Sequence, residues 1–230
     1  MSISSANKEV FYPESDGQPM AENTLQFEWI TMLKGNLDAV FARDPQVFVA
    51  GDLFWYPVEG NNKIRSAPDT MVVFGRPKGH RSSYLQWRED NIAPQVVFEV
   101  LSPGNSSSEM DRRWQFFQNY GVEEYYLVDP DNFSVKGWLR RDGELQPIEA
   151  AHTWTSPRLG IRFAVDKDSV QVFRPDGVRF ATFLEMYEQG QTEAQRADTE
   201  AQRAEAAARR VAALESRLRS LGYDVEQSED

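Results

Sequence analysis

The chain's capacity for chemistry rests on an aspartate at the head of one apolar run and a glutamate in the middle of another. Asp69 opens Pro68-Asp69-Thr70-Met71-Val72-Val73-Phe74, and Glu99 lies inside Gln95-Val96-Val97-Phe98-Glu99-Val100-Leu101. A carboxylate within a buried strand is costly to desolvate unless a cation, a metal or good hydrogen bonds compensate it. Something positive is therefore expected to meet Glu99. Two carboxylates, a backbone carbonyl and waters are a ligand set that Mg²⁺ accepts, because that ion keeps several of its waters. An ion so held polarises a phosphate oxygen and lowers the pKa of a bound water. Plainer roles are open to both residues: Asp69 as a cap or turn residue, and Glu99 as the structural partner of a buried arginine.

Composition narrows the rest. With no cysteine and only two histidines, His80 and His152, far apart in sequence, disulfides, thiolate sites and a cysteine nucleophile are excluded. A histidine-rich zinc site is disfavoured, and any metal is expected on oxygen. A net charge of −11 opposes non-specific adhesion to nucleic acid or anionic membrane, so a nuclease would need a local basic face or a metal. No window has the apolar length needed to cross a bilayer, and the expected location is the cytoplasm. At 230 residues with 40% apolar and 12% aromatic side chains, one sizeable core with an appendage is the simplest organisation.

The elements that must position the two acids can be read in order. Residues 1–19 carry Pro13, Gly17 and Pro19 among polar residues and read as a flexible leader. From Asn23, Leu25, Trp29, Met32, Leu33, Asn36-Leu37 and Val40 follow helical spacing, with Asn23 or Thr24 able to cap the start. Asp44-Pro45 ends that helix, Val47 to Trp55 reads as one strand, and Glu59-Gly60-Asn61-Asn62 turns into the Asp69 strand. Residues 75–94 form a long connection with Arg76, Lys78, His80, Arg81 and Arg88. It is either a solvated loop with a short helix or a basic lid that touches nucleic acid.

After the Glu99 strand, Ser102 to Ser108 reads as turn and helix cap, and Glu109 to Tyr120 as a helix ended by Gly121. Tyr125–Val128 and Phe133–Leu139 pair across an Asp-Pro-Asp-Asn turn, and Leu159–Phe163 with Val170–Phe173 would add an antiparallel edge. The fold class is α/β (α+β): a body over residues 20–188 and a helical, coiled-coil-like tail over 189–230 with a polar C-terminus. In the tail, Thr192-Glu-Ala-Gln-Arg-Ala-Asp198 is nearly repeated by Thr199-Glu-Ala-Gln-Arg-Ala-Glu205. The seven-residue period continues through Ala204, Ala207, Val211, Leu214, Leu218 and Leu221, a seam for weak self-association as a homodimer or higher oligomer. An alanine-rich seam buries little area, so a solvated single helix is the other reading.

The run Ala67-Pro68-Asp69, then VVFEVLSPGN, YGVEEYYLVDPD and GWLR, resembles the Uma2 family, also described as domain of unknown function 820. The resemblance covers roughly residues 20–185. It implies a restriction-endonuclease-like fold, a central mixed sheet flanked by helices, with the acidic site of the PD-(D/E)XK superfamily. On that resemblance Pro68-Asp69 matches the PD element, Glu99 is the acidic member of E-x-K, and the Val100 carbonyl is a possible metal ligand. Leu101 occupies the usual lysine position. The lysine's displaced register on the following helix falls on Arg113, or on Arg112, about 100° around the helix, if the count is off by one. A guanidinium stays protonated and cannot act as a base, but it can stabilise charge on phosphate and pair with Glu99. Glu22, Glu28 and Asp52 are further acidic candidates. The expected activity is Mg²⁺- or Mn²⁺-dependent hydrolysis of phosphodiester bonds, foremost in DNA, with Asp69, Glu99 and Arg113 as the working residues. The alternative is a catalytically decayed nuclease fold acting as an oligomeric scaffold.

Overall fold

The computed structural model describes residues 10–222, apart from 16 and 18. Residues 1–9 of the expected leader and the polar C-terminus from residue 223 lie outside them. Helix α1 (Thr24–Val40) starts where Asn23 accepts the Gln26 N–H at 2.8 Å, a side-chain cap on an otherwise orphan donor. Six strands then form one mixed sheet in the order β1-β3-β5-β6-β7-β8: β1 (Val47–Ala50), β3 (Thr70–Phe74), β5 (Val96–Val100), β6 (Glu124–Asp129), β7 (Ser134–Arg141) and β8 (Glu144–Pro147). Only the central β5–β6 pair is parallel. Helix α2 (Ser107–Asn119) is its crossover, as a parallel pair requires.

Both faces of the sheet are covered, which is why its central strands read as unbroken apolar runs rather than alternating ones. Val96, Phe98 and Val100 of β5 pack with Ile30, Leu33 and Leu37 of α1 in one core cluster. Val97 joins Phe117 of α2, Tyr125 and Leu127 in the other. By the same alternation Glu99 projects to the α2 side. Helix α2 ends on Gly121 at φ 89°, with the Val122 N–H reaching back to the Phe117 carbonyl at 3.2 Å, the closure that a left-handed glycine permits.

Several local expectations change. The single strand expected over Val47 to Trp55 breaks at Gly51-Asp52, where Asp52 adopts φ 47°. Its continuation β2 (Trp55–Tyr56) instead pairs in parallel with β4 (Tyr84–Leu85), inside the long connection. Strands β9 (Arg162–Val165) and β10 (Val170–Phe173) form their own two-stranded sheet and do not extend the main one. Strand β8 had no apolar run to announce it. The buried stripe of α1 is Gln26, Ile30, Leu33, Asn36 and Leu37, so Leu25, 37% exposed, is off the face expected of it.

The chain divides into two compact units between Thr182 and Phe183. The second contains α3 (Phe183–Ser220), a single 38-residue helix with no buried residue among those described. Ahead of α1, the Tyr12 ring lies 5.1 Å from Tyr56 and 5.0 Å from Trp87. The Gly60 N–H donates to the Tyr12 hydroxyl at 2.6 Å, Asn62 to the Phe11 carbonyl at 2.8 Å, and the Tyr56 hydroxyl to the Pro13 carbonyl at 2.6 Å.

Candidate active site

Strands β3 and β5 run antiparallel with Thr70 opposite Phe98, and one step further along this register Asp69 faces Glu99. An Asp69 carboxylate oxygen accepts the Val100 N–H at 2.7 Å, which ties the Pro-Asp element to the end of β5. On the other side, the Asp52 N–H donates to the Pro68 carbonyl at 3.2 Å. Both acids are buried, Asp69 at 7% and Glu99 at 2% exposure.

Arg113 reaches Glu99 from α2. Its guanidinium donates to one Glu99 oxygen at 2.5 Å and to Glu109 at 3.2 Å, one helical turn back. The register that selects Arg113 over Arg112 is therefore the geometric one: Arg113 meets the carboxylate, while Arg112 is exposed and lines the adjoining cavity. The helix starts where the Ser106 side chain accepts the Glu109 N–H at 3.2 Å, which fixes the phase that points Arg113 inward.

One positive charge does not satisfy the site. Among the described residues the second Glu99 oxygen is buried without a hydrogen-bond partner, as is the Tyr125 hydroxyl. Burial raises the Glu99 pKa to about 8, with Arg113 pulling it down and Asp69 pushing it up. Burial likewise raises Asp69 to about 6, against the Val100 N–H and Arg113. Arg113 is held charged above its ordinary range, chiefly by Glu99. A pair of carboxylates driven towards neutrality, one with an orphan oxygen, is the donor chemistry a divalent cation fits. Among the described residues, no group of three or more His, Cys, Asp or Glu is arranged to hold a metal ion. A cation here would need water, a carbonyl or substrate oxygens to complete its shell.

The remaining candidates separate. The Val100 carbonyl accepts the Gln26 side-chain amide at 2.8 Å, and the Gln26 carbonyl oxygen in turn accepts the Glu22 N–H at 2.8 Å. Sequence reading passed over Gln26, although its spacing to Ile30, Leu33 and Leu37 is the signal of a polar residue on a buried stripe. Glu22 and Asp52 both line the cavity, whereas Glu28 is exposed and lies outside its lining. Glu22 accepts the Ser102 hydroxyl, and its carboxylate sits where a Cβ on Gly104 would be.

The cavity has a volume of about 730 Å³ and joins Asp69 and Arg113 to Asp52, Arg65, Glu109 and Phe116. The basic connection is not part of its lining. Arg76 pairs with Glu89 at 2.9 Å and with Asp90, while Arg81 pairs with Glu89 at 2.6 Å and stacks 4.0 Å over Phe48. Lys78 donates to the Val47 carbonyl at 3.1 Å. Three of the cations that suggested a lid are thus committed to the body, and His80 and Arg88 remain exposed. No helix among the described residues is long and apolar enough to cross a membrane.

No curated protein matches the chain. A solved structure described as "a putative nuclease belonging to DUF820 from Anabaena variabilis" is similar at 16% identity and a TM-score of 0.47, over 62% of this chain and 77% of that one. A family model described as "Putative restriction endonuclease" matches residues 12–166, which hold the acid pair, the Arg113 helix and the central sheet, and the chain accordingly belongs to the Uma2 family.

Proposed function

We propose that this member of a restriction-endonuclease-like nuclease family hydrolyses phosphodiester bonds in DNA with the help of Mg²⁺ or Mn²⁺ at Asp69 and Glu99. The observation that carries the reading is the unpartnered, buried oxygen of Glu99 beside Asp69. Such an oxygen is left without compensation by the protein alone. Asp69 and Glu99 would hold the ion, with the Val100 carbonyl at hand, and when bound it would supply charge neutralisation at phosphate and acidify a water. Arg113 orients Glu99 and draws its pKa down against the larger effect of burial, and its guanidinium, 28% exposed at the side chain, offers charge to a phosphate entering from the cavity. With arginine in this place the chain has no lysine amine to take a proton from water. No membrane contact is assigned, and the cytoplasm is the location we assign.

The Glu99–Arg113 pair also favours a second reading, a fold that keeps its scaffold and has lost catalysis, with the arginine standing in for the cation. Calorimetric titration of Mn²⁺ into wild type and the Asp69→Ala/Glu99→Ala double variant separates the two. Binding by wild type alone, followed by metal-dependent cleavage of DNA, supports the nuclease. Absence of binding and of cleavage in both supports the scaffold.

For the tail we infer a homodimer through α3. Val211, Leu214, Leu218 and Leu221 are 53%, 55%, 42% and 66% exposed. Arg196, Arg203, Arg210 and Arg217 recur every seven residues directly before seam positions. An antiparallel pair would set these arginine columns against each other, whereas a parallel pair sets them against Ala201, Ala208 and Glu215, so the charge pattern favours parallel. Deletion after Gly190 should lower the mass measured by light scattering; an unchanged mass would leave α3 a solvated helix.

A further inference from the structure

The cavity beside the acid pair contains a cation that neither the sheet nor the helix uses. Arg65 stands four residues before Asp69 on a segment locked by two backbone bonds, Trp55 N–H to the Ser66 carbonyl at 2.8 Å and Ser66 N–H to the Trp55 carbonyl at 3.2 Å. Its guanidinium lies 4.7 Å over the Phe54 ring, an arrangement that fixes the plane of the fork while leaving its edge available. Among the described residues it donates to the Asn62 carbonyl at a long 3.4 Å, and the Tyr56 hydroxyl is its other polar neighbour.

Other partly buried arginines of the same unit are treated differently. Arg76 and Arg81 are neutralised by Glu89, and Arg113 by Glu99 and Glu109. Arg140 donates to the backbone carbonyls of Val122, Phe117, Gln118 and Gly143. Arg65 has no carboxylate within ion-pair distance among the described residues, although Glu14, Asp52 and Glu109 line the same cavity. Arg112, on the α2 side of that cavity, is likewise without an ion pair among the described residues. Two guanidinium groups that line one cavity beside a buried acid pair, neither in an ion pair among the described residues, are suited to an anion, and a guanidinium fork matches the oxygens of a phosphate.

We infer that Arg65 and Arg112 are the phosphate-positioning residues of this site, gripping the backbone phosphates that flank the bond presented to Asp69 and Glu99. The inference rests on the nuclease reading and assigns its substrate contacts. It also bears on the charge problem: Arg65 and Arg112 would hold the phosphates of a strand locally, while an ion at the acid pair would offset the carboxylates that share the lining. Arg65 acts on position and not on bond breaking, so its removal should weaken binding without touching the metal.

The test uses the full chain, a fluorescently labelled DNA strand and its duplex, Ca²⁺ in place of Mg²⁺, and a series of salt concentrations. Wild type should bind at least one of the two. Arg65→Gln and Arg112→Gln should each weaken it about tenfold and flatten the plot of log affinity against log salt by about one unit. Arg65→Lys should keep the slope and lose part of the affinity, because the charge stays and the fork does not. Arg141→Gln, an exposed control on β7 outside the cavity lining, should change neither quantity, and Mn²⁺ binding and melting temperature should match wild type in the Arg65 variants. DNA binding by wild type with an unaltered salt slope in Arg65→Gln would overturn this inference and leave the nuclease reading standing. Failure of wild type to bind or cut DNA would remove both.

Discussion

Glu99 and Arg113 meet at 2.5 Å between β5 and α2, yet the pair is only half satisfied, because the other Glu99 oxygen is buried with no donor among the described residues. A buried ion pair of this kind is weak evidence for stability and better evidence for a site held in readiness. Its titration is the most direct handle on it.

Metal affinity should climb with pH. Asp69 and Glu99 are held at about 6 and about 8 by burial, so a cation arriving in mild acid must displace protons that it would not meet in mild alkali. Calorimetric Mn²⁺ titrations should show affinity rising through this window, with a heat that depends on the buffer because protons are released. A flat profile would count against the carboxylates as ligands.

The same shifts bear on folding, with the opposite sign. Each folded pKa stands above its ordinary value, 4.5 for Glu99 and 3.8 for Asp69, so the native state binds more protons than the unfolded chain between the two. The resulting stabilisation is complete in acid and is lost as pH rises through about 6 and then about 8. Urea unfolding of the metal-free protein should show falling stability over that range, and Glu99→Gln should flatten most of the fall.

Truncating Arg113 leaves a buried carboxylate without its cation. Arg113→Ala should cost on the order of 3 kcal/mol in mildly alkaline buffer, and clearly less in acid, where Glu99 is neutral. Arg113→Lys should recover most of that loss. Equal destabilisation by Arg113→Ala at both pH values would mean that its packing, not its charge, is what matters.

Gln26→Leu tests the Val100 carbonyl. The variant strips the carbonyl and the Glu22 N–H of their shared partner and should cost about 1–3 kcal/mol in unfolding experiments. Mn²⁺ binding should survive, since the carbonyl lone pairs become more available. Lost Mn²⁺ binding in a folded Gln26→Leu protein would make the amide itself part of the site.

In the tail, Leu214→Asp with Leu218→Asp should place like charges on the seam of two copies and give a monomeric mass in light scattering. Retention of a larger mass would move the interface away from α3.

How much of this was legible in the residues depends on how local each signal is. Glu99 announces itself because a charge inside Val96–Val100 is anomalous on its own strand, and Arg113 follows from the Uma2 resemblance, whose displaced lysine register on the next helix falls there. Strand pairing is not local, so β9 and β10 were read into the wrong sheet, and β2 was hidden behind a backbone break at Asp52. Gln26 looks like any polar residue of an amphipathic helix: the face expected through Leu33 and Leu37 is the buried one, but at its start the chain buries Gln26 and leaves Leu25 exposed. Arg65 carries no sequence signal at all. It sits in a polar, turn-rich stretch, and only the folding of Phe54 beneath it and Asp69 beside it gives it a role.

The clasp ahead of α1 carries a practical consequence for anyone preparing this protein. Trimming the chain back to Asn23, where the helix is capped, would look like harmless tidying of a tail. It would remove the Tyr12 ring from Tyr56 and Trp87, leave the Tyr56 hydroxyl, the Gly60 N–H and the Asn62 amide without their acceptors, and take Glu14, Ser15, Pro19, Met20 and Glu22 out of the cavity wall. A purification handle therefore belongs upstream of an intact N-terminal segment, and a shortened protein that fails an assay would say little about the natural one.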